Sequence, residues 1–338
     1  MKLSVSFEEH PYHRCPEKQI QLEQLRSLVV LSDHQEDIEC LVFHISFPKD
    51  AKLVIGSGKT EYTIASSYHG RFHKFPNPHL TSLTLDSIHL LQSFQDITTL
   101  TEFKIHHTRV KFIQPLDTIF TFMERNHALK HVELFMSFKN PPPCISKKQV
   151  PIKLEQLESL VVFSGHQQGI KCLISHISLS KGTTLKISPG DGGYMNLTAI
   201  LPCIKEIAKS YDSMYIDYPK KYIKLSGPNR HVEISNLDHE GISSTLKEGP
   251  LPSFLASIQE LHLIGQGLMP LNLSQFHNLK TLTVSGCGHF SIDFVEKLCQ
   301  YAFKCNGTIE LGLWESTATM VLMHTRTGKT ISLWSRMQ

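Results

Sequence analysis

The sequence lacks segments that would direct the chain into or across a membrane. The stretch MKLSVSFEEHPYH at the start has no apolar core of the kind that a secretory signal peptide requires. No apolar run reaches the roughly 18 residues that a membrane-spanning helix needs. The sequons at Asn196, Asn272 and Asn306 are then chance matches, because glycosylation requires the secretory route. We therefore expect an intracellular protein, cytoplasmic or nuclear.

Paired cysteines and clustered charge are also missing. The eight cysteines include no C-x-x-C pair, which argues against a zinc knuckle or a redox dithiol. Cys40 and Cys172 lie in apolar segments and are predicted to be buried thiols, as a reducing compartment allows. The formal net charge is only +3, and the pairs Lys147/Lys148 and Lys220/Lys221 are typical of solvated loops. We expect no nucleic-acid partner.

No catalytic signature is complete. The sequence has no G-x-S-x-G motif and no cysteine with a matching catalytic signature. The loop from Gly56 to Thr60 resembles the end of a phosphate-binding loop, but the first glycine of G-x-x-x-x-G-K-[ST] would fall at Leu53. We predict a glycine-rich turn there and no enzymatic activity. A nucleotide-binding enzyme that uses this loop stays open as an alternative function.

A metal site is not expected either. His10, His13 and Cys15 have metal-ligand residue types at close spacing, but the corresponding stretch later in the chain retains only Cys144. We therefore predict no metal and no other cofactor.

What the sequence does contain is a long internal repeat. Segment 22–55 aligns without a gap with segment 154–187, and about 20 of 34 positions are identical. A fixed internal period is the signature of a repeat architecture, in which stacked units share one core. The sequence therefore predicts a solenoid, a scaffold with a long surface for a partner.

A shorter period lies inside the long one. Several segments fit L-x-x-L-x-L, among them Leu25/Leu28/Val30, Leu157/Leu160/Val162 and Leu279/Leu282/Val284. Their average spacing of about 25 residues is within the range of leucine-rich repeats. Strands are predicted at 26–31, 52–55, 81–86, 101–107, 129–136, 158–163, 184–188, 213–217, 231–235, 259–264, 279–285, 308–313 and 330–334.

Segments with helical spacing separate some of these strands. Leu116, Ile119, Phe120 and Met123 are spaced as one helix face, and 170–177 repeats that spacing. Strand–helix alternation implies a parallel sheet. The predicted fold is therefore α/β: a leucine-rich-repeat-like solenoid with a curved parallel sheet on the concave face, helices on the convex face, and sequential strands adjacent.

The predicted organisation is a single irregular solenoid over 1–338. Its long blocks span 1–130, 131–255 and a partial third, 256–338. The strand and helix that precede Ser137 have no counterpart before Ser6, so we expect a fragment or a shortened gene product.

These features resemble the repeat region of F-box-like leucine-rich-repeat proteins of mushroom-forming (basidiomycete) fungi. The resemblance is carried by L-x-x-L-x-S-L-V-V, by I-x-C-L-x-x-H-I-S, by Pro48 with the strand after it, and by FHNLKTLTVSGC at 276–287. In that family an N-terminal F-box binds the adaptor of a cullin ubiquitin ligase, and the repeats hold the protein to be ubiquitinated. Residues 1–21 are too short for an F-box.

The leading hypothesis is a noncatalytic protein–protein interaction scaffold that uses the concave face. The resemblance implies the second alternative, a substrate-recognition adaptor or decoy of such a ligase, with ligase components or substrates as partners. Strand alternation puts the following residues on the concave face as candidate partner-binding residues: Thr84, Asp86, His131, Glu133, Glu260, His262, Thr281 and Thr283.

Overall fold

The structure, a computed structural model, shows two compact units, unit 1 (Met1–Thr183) and unit 2 (Thr184–Gln338). It describes residues 2–6, 20–21, 24–32, 41, 45–46, 48, 51–56, 79–86, 91, 94–110, 116–138, 151–164, 167–180, 182–189, 200, 204, 211–228, 230–237, 255–265, 276–285, 308–314, 323–324 and 330–336. The division between the units falls inside the predicted block 131–255. The single solenoid over 1–338 and its block boundaries stay predictions.

Unit 1 is a mixed α/β structure built on a parallel sheet. Its strands are β1 (Lys2–Ser6), β2 (Ile20–Gln21), β3 (Ser27–Leu31), β4 (Ile45–Ser46), β5 (Lys52–Gly56), β6 (Ser82–Leu85), β7 (Glu102–Val110), β8 (His131–Phe138), β9 (Ile152–Leu154), β10 (Ser159–Ser164) and β11 (Ile177–Leu179); its helices are α1 (Leu116–Arg125) and α2 (Gln167–Ser175). The main sheet has the order β1-β3-β5-β6-β7-β8-β10, and every pair is parallel.

Unit 2 contains a mostly parallel sheet with one reversed segment. Its strands are β12 (Thr184–Ser188), β13 (Ser213–Asp217), β14 (Tyr222–Gly227), β15 (Arg230–Ile234), β16 (Glu260–Ile264), β17 (Thr281–Ser285), β18 (Thr308–Trp314), β19 (Met323–His324) and β20 (Thr330–Arg336), with a 3-10 helix at Leu255–Ser257. The order is β12-β15-β14-β13-β16-β17-β18-β20-β19. Strand β14 is antiparallel to both neighbours, and β19 is antiparallel to β20.

All thirteen predicted strands are present, and the predicted α/β class is confirmed. The predicted parallel sheet is confirmed in part, because the sheet is mostly parallel and contains antiparallel pairs at β14 and β19. Sequential strands were predicted to be adjacent, and this prediction is wrong in unit 2. Strand β13 follows β12 in the sequence but does not pair with it, because β14, which was not predicted, and β15 lie between them. The chain turns back after β13 at Tyr218–Lys221, where Lys221 adopts φ 52° and its N–H donates to the Tyr218 carbonyl at 3.1 Å. Strands β14 and β15 then add as a meander, so β15 rather than β13 pairs with β12.

The core of each unit is formed by the apolar positions of the L-x-x-L-x-L pattern. Leu28 and Leu160 are 0% exposed and Leu282 is 1% exposed, as predicted. Cys172 is buried in α2, also as predicted, whereas Cys40 lies outside the described residues. Phe122 of α1 contacts Phe103 of β7 with ring centroids 4.8 Å apart. Helix α1 therefore covers the buried side of the unit 1 sheet.

The two copies of the long repeat share a second structural feature. Strand β2 pairs in parallel with β4, and β9 pairs in parallel with β11, as separate two-stranded sheets. Ile20 and Ile45 occupy the repeat positions of Ile152 and Ile177, which are paired in the same way. The two copies therefore agree in strand pairing as well as in sequence, and the agreement begins two residues before segments 22–55 and 154–187.

Asn126 connects the end of α1 to the segment that leads into β7. Its side-chain amide donates to the Phe122 and Ile97 carbonyls, each at 2.9 Å, and its Oδ1 accepts from the Leu100 N–H at 3.2 Å. The side chain is fully buried. Its bonds satisfy three backbone groups that have no access to water.

We expect Asn126→Ala to lower the free energy of unfolding by about 2–3 kcal/mol, because buried backbone groups would lose their partners. Urea unfolding followed by circular dichroism measures this. Asn278→Ala is the matched control: Asn278 is exposed and donates one bond, to the Ala256 carbonyl at 2.8 Å. Asn278→Ala should lower the free energy of unfolding by less than about 1 kcal/mol. Equal losses in the two variants would contradict the structural role assigned to Asn126.

Candidate functional site

One side of the main sheet in unit 1 is open. Residues alternate along each strand, so that β10 reads half-buried, buried, half-buried along its length. Because the parallel strands pair in register, the open-side residues form rows that cross the strands. We define the unit 1 face as Ser27, Val29, Leu31, Lys52, Val54, Thr84, Asp86, Glu102, Lys104, His106, His131, Glu133, Phe135, Ser159, Val161 and Phe163, all of which are exposed or half-buried.

An ion pair spans three strands of this face. Lys52 on β5 donates to a Glu102 carboxylate oxygen on β7 at 2.9 Å, and the Ser82 hydroxyl of the intervening strand donates to the same oxygen at 3.0 Å. The Lys52 ammonium lowers the pKa of the Glu102 carboxyl below its ordinary value, and partial burial opposes this effect. Glu102 is therefore held as a carboxylate.

This lowered pKa gives Glu102 a pH-dependent contribution to stability. A carboxyl whose folded-state pKa lies below its unfolded value stabilises the fold above the unfolded value. That contribution is lost as the pH falls through the folded value. Glu102→Gln should therefore show a shallower loss of stability than the unaltered protein between about pH 5 and pH 3 in urea titrations.

The size of this effect should depend on salt, because the pair is partly exposed and screened. High salt should bring the two acid titrations closer together. Identical titrations at low salt would contradict a stabilising role of the pair.

Other charged side chains on the unit 1 face and at its edge also form ion pairs. Lys104 and Glu133, paired in register on β7 and β8, are joined at 2.8 Å. Glu158, just before β10, lies 3.4 Å from Lys130 and 3.8 Å from His131. Neighbouring opposite charges hold these long side chains over the sheet.

A row of stacked rings crosses three strands on the unit 1 face. His106 stacks on Phe135 with centroids 4.8 Å apart, and Phe135 stacks on Phe163 with centroids 3.8 Å apart. Residues in register on neighbouring strands are about 4.8 Å apart, which is a stacking distance. Each side chain of this aromatic row (His106, Phe135 and Phe163) is half-buried, so the row is an apolar ridge that solvent can reach.

Unit 2 also has an open sheet side. We define the unit 2 face as Thr184, Lys186, Ser188, Ser213, Tyr215, Tyr222, Lys224, Ser226, His231, Glu233, Glu260, His262, Ile264, Thr281 and Thr283. Glu260 pairs in register with Thr281, and His262 with Thr283. The His262 ring also lies 4.0 Å from the Glu260 carboxylate. These four residues form one polar patch on β16 and β17.

Two tyrosines and two carboxylates lie together on β13, β14 and β15. The Tyr215 and Tyr222 rings meet edge to face with centroids 6.1 Å apart. The Tyr215 hydroxyl donates to Asp217 at 3.5 Å. Burial, followed by the Glu233 charge, raises the pKa of Tyr222 to about 12, and burial also raises the pKa of Tyr215. Both phenols therefore stay protonated at neutral pH.

The eight predicted partner-binding residues all lie on the open side of their strands. In unit 1, Lys104 separates Thr84 from Glu133 in one row, and His131 and Asp86 lie in other rows. In unit 2 the four residues are immediate neighbours. Their role in binding stays a prediction.

Sequence reasoning missed the aromatic row, the Lys104 ion pair and the tyrosine cluster. Glu102, Lys104 and His106 alternate with Phe103 and Ile105, and this pattern was a usable signal. Tyr222 was missed because β14 was not predicted, although its tyrosine, lysine and serine alternate with Ile223 and Leu225.

Other candidate sites gain no structural support. In the loop from Gly56 to Thr60 only Gly56 is described, and His10, His13 and Cys15 lie outside the described residues. Within the described ranges, no group of three or more histidine, cysteine, aspartate or glutamate residues could hold a metal ion. In those ranges, too, no helix is long and apolar enough to cross a membrane.

His176 follows the last residue of α2 and lies with Nδ1 2.6 Å from the Cys172 carbonyl. Its ring stacks on Phe120 with centroids 5.1 Å apart. The histidine is therefore a helix-end residue. His44, its counterpart in the first copy, lies outside the described residues.

None of the protein-family models, curated proteins or solved structures with which the chain was compared matches it.

Proposed function

We propose that the protein is a noncatalytic protein–protein interaction scaffold that binds its partner on the open faces of its sheets. The observation that carries this proposal is the half-exposed aromatic row beside compensated ion pairs on the unit 1 face. Aromatic side chains supply much of the binding energy at protein interfaces, and a rim of paired charges supplies orientation. On the unit 2 face, Tyr215 and Tyr222 likewise combine half-buried aromatic rings with neighbouring charged side chains.

The architecture that we propose is a leucine-rich-repeat-like solenoid, with these faces on the concave side of a curved sheet and helices on the convex side. The in-register parallel strands and the buried L-x-x-L-x-L positions support it. The paired strands β2–β4 and β9–β11, repeated at equivalent positions, support it as well. In such a scaffold, rigid strands position the binding side chains.

Affinity purification followed by variant binding tests this function. The full chain should recover a protein partner, and Phe135→Ala or Phe163→Ala should weaken its binding by about fivefold or more. Glu133→Lys should also weaken binding, because it reverses one charge of the unit 1 face that a partner would contact. Lys153→Glu is the charge-change control, since Lys153 is exposed on β9, away from the unit 1 face.

Thermal unfolding should be nearly unchanged in Glu133→Lys, so that lost binding is not lost folding. Full binding by all three face variants would contradict the proposed function. Recovery of the adaptor and cullin of a ubiquitin ligase with the full chain would extend the scaffold role to that system.

A further inference from the structure

One cation on the unit 2 face has no counter-ion within the described part of the chain. Lys224 of β14 is half-buried and lies in register between Tyr215 on β13 and Glu233 on β15. Among the residues that the structure describes, none forms an ion pair or hydrogen bond with its ammonium group. A lysine ammonium binds a carboxylate through charge-assisted hydrogen bonds.

The neighbouring carboxylates are already engaged by other groups. Glu233 binds the Lys186 ammonium at 3.0 Å. On the other side, Asp217 is 3% exposed, binds Lys220 at 3.3 Å and accepts from the backbone N–H of Lys220 at 3.0 Å.

Lys224 therefore differs from its neighbouring lysines. The ammonium groups of Lys186 and Lys220 each contact a carboxylate, which leaves that of Lys224 without one among the described residues. Protonated tyrosines add hydroxyl donors and ring surface but no negative charge.

We propose that the unit 2 face binds an acidic segment of a protein partner, with an aspartate or glutamate carboxylate on the Lys224 ammonium. Apolar atoms beside that carboxylate would lie against the rings of Tyr215 and Tyr222. The proposal rests on the proposed scaffold function and names the chemistry of the partner.

Charge complementarity favours a carboxylate over a nucleic-acid backbone. A phosphate backbone presents a regular series of charges and is bound by several unpaired cations. Near Lys224, the ammonium groups of Lys186 and Lys220 are already paired with Glu233 and Asp217, which leaves a single unpaired cation beside two tyrosines. One cation beside aromatic rings matches one acidic side chain in an otherwise apolar contact.

Selection of a random peptide library on the full chain tests this inference. We expect the selected peptides to be enriched in aspartate and glutamate. For a labelled acidic peptide from this selection, Lys224→Gln should weaken binding roughly tenfold in fluorescence anisotropy, because a charge-assisted contact is lost. Lys224→Arg should retain most of the affinity. Lys153→Gln removes the same charge outside the unit 2 face and should change affinity by less than about twofold.

Charge exchange gives a second readout that does not depend on stability. Lys224→Glu should abolish binding of the acidic peptide, and replacement of the acidic residue in the peptide by lysine should restore it. Absence of rescue would overturn the contact.

The outcomes separate this inference from the proposed function. Peptides that lose binding in Phe135→Ala but not in Lys224→Gln would overturn the inference and leave the scaffold function standing. Selection of no binding peptide would contradict the scaffold function and the inference with it. Binding of an oligothymidylate that depends equally on Lys224 would overturn the inference in favour of a nucleic-acid partner.

Discussion

Phe103→Ala should lower the free energy of unfolding by about 3–5 kcal/mol, the cost of removing a large ring from a close-packed core. Phe103 is fully buried on β7, and its ring contacts that of Phe122, which is 1% exposed on α1. The truncation would leave a cavity between helix and sheet. Urea unfolding monitored by circular dichroism gives the value.

Lys104→Ala is the matched control at the next position of the same strand. Lys104 lies on the open side and contributes one partly exposed ion pair, with Glu133. It should change the free energy of unfolding by less than about 1 kcal/mol. Similar losses of unfolding free energy in Phe103→Ala and Lys104→Ala would contradict a sheet with one buried and one open side at β7.

The second large effect is expected at equal positions of the repeat. Leu160→Ala in unit 1 and Leu282→Ala in unit 2 should each cost about 2–5 kcal/mol, because both leucines are buried between neighbouring strands. The open-side controls are Val161→Ala and Thr283→Ala, which remove less buried surface because both residues are only half-buried. They should each cost less than about 1 kcal/mol.

A small effect at either leucine would contradict a shared role for equal repeat positions. Leu28→Ala, at the corresponding position of the first copy, should behave as Leu160→Ala does, since both leucines are fully buried.

Much of this fold could be predicted because it depends on local patterns. A strand with one buried side shows period-two alternation, and L-x-x-L-x-L places Leu25, Leu28 and Val30 on that side. Helix α1 was predicted from the spacing of residues that are in fact buried, such as Ile119 and Met123. These signals are contained in short segments and need no knowledge of the rest of the chain.

Strand order could not be predicted in the same way. The position of β14 depends on a turn in which Lys221, a residue that is not glycine, adopts a left-handed conformation. A lysine pair is typical of a solvated loop, so nothing local indicated a hairpin. Because β14 turns back to pair with β13, and β15 pairs with β14, the strand beside β12 is β15. One turn therefore sets the order of four strands in the sheet.

The sequence predicted only the polar residues of the candidate faces, because contacts between strands depend on register. Alternation identifies open-side polar residues such as Thr84 and Glu133, but open-side apolar residues are read as core. Phe135 and Phe163 form a ridge only because β8 and β10 pair in register, which the sequence of either strand alone does not contain. The pairing of Lys104 with Glu133 depends on register in the same way.

The central claim is that the open sheet faces bind a protein, and site-specific photo-crosslinking tests it most directly. Benzoylphenylalanine would be introduced at Thr84 or Thr283 on the faces, or at the exposed residues Ser178 and His277 outside them. Each full-length variant would be irradiated in extract of cells that express the protein. The account predicts one crosslinked partner shared by the Thr84 and Thr283 variants and absent from the other two. Crosslinking of that partner from Ser178 or His277, with none from the face positions, would contradict it.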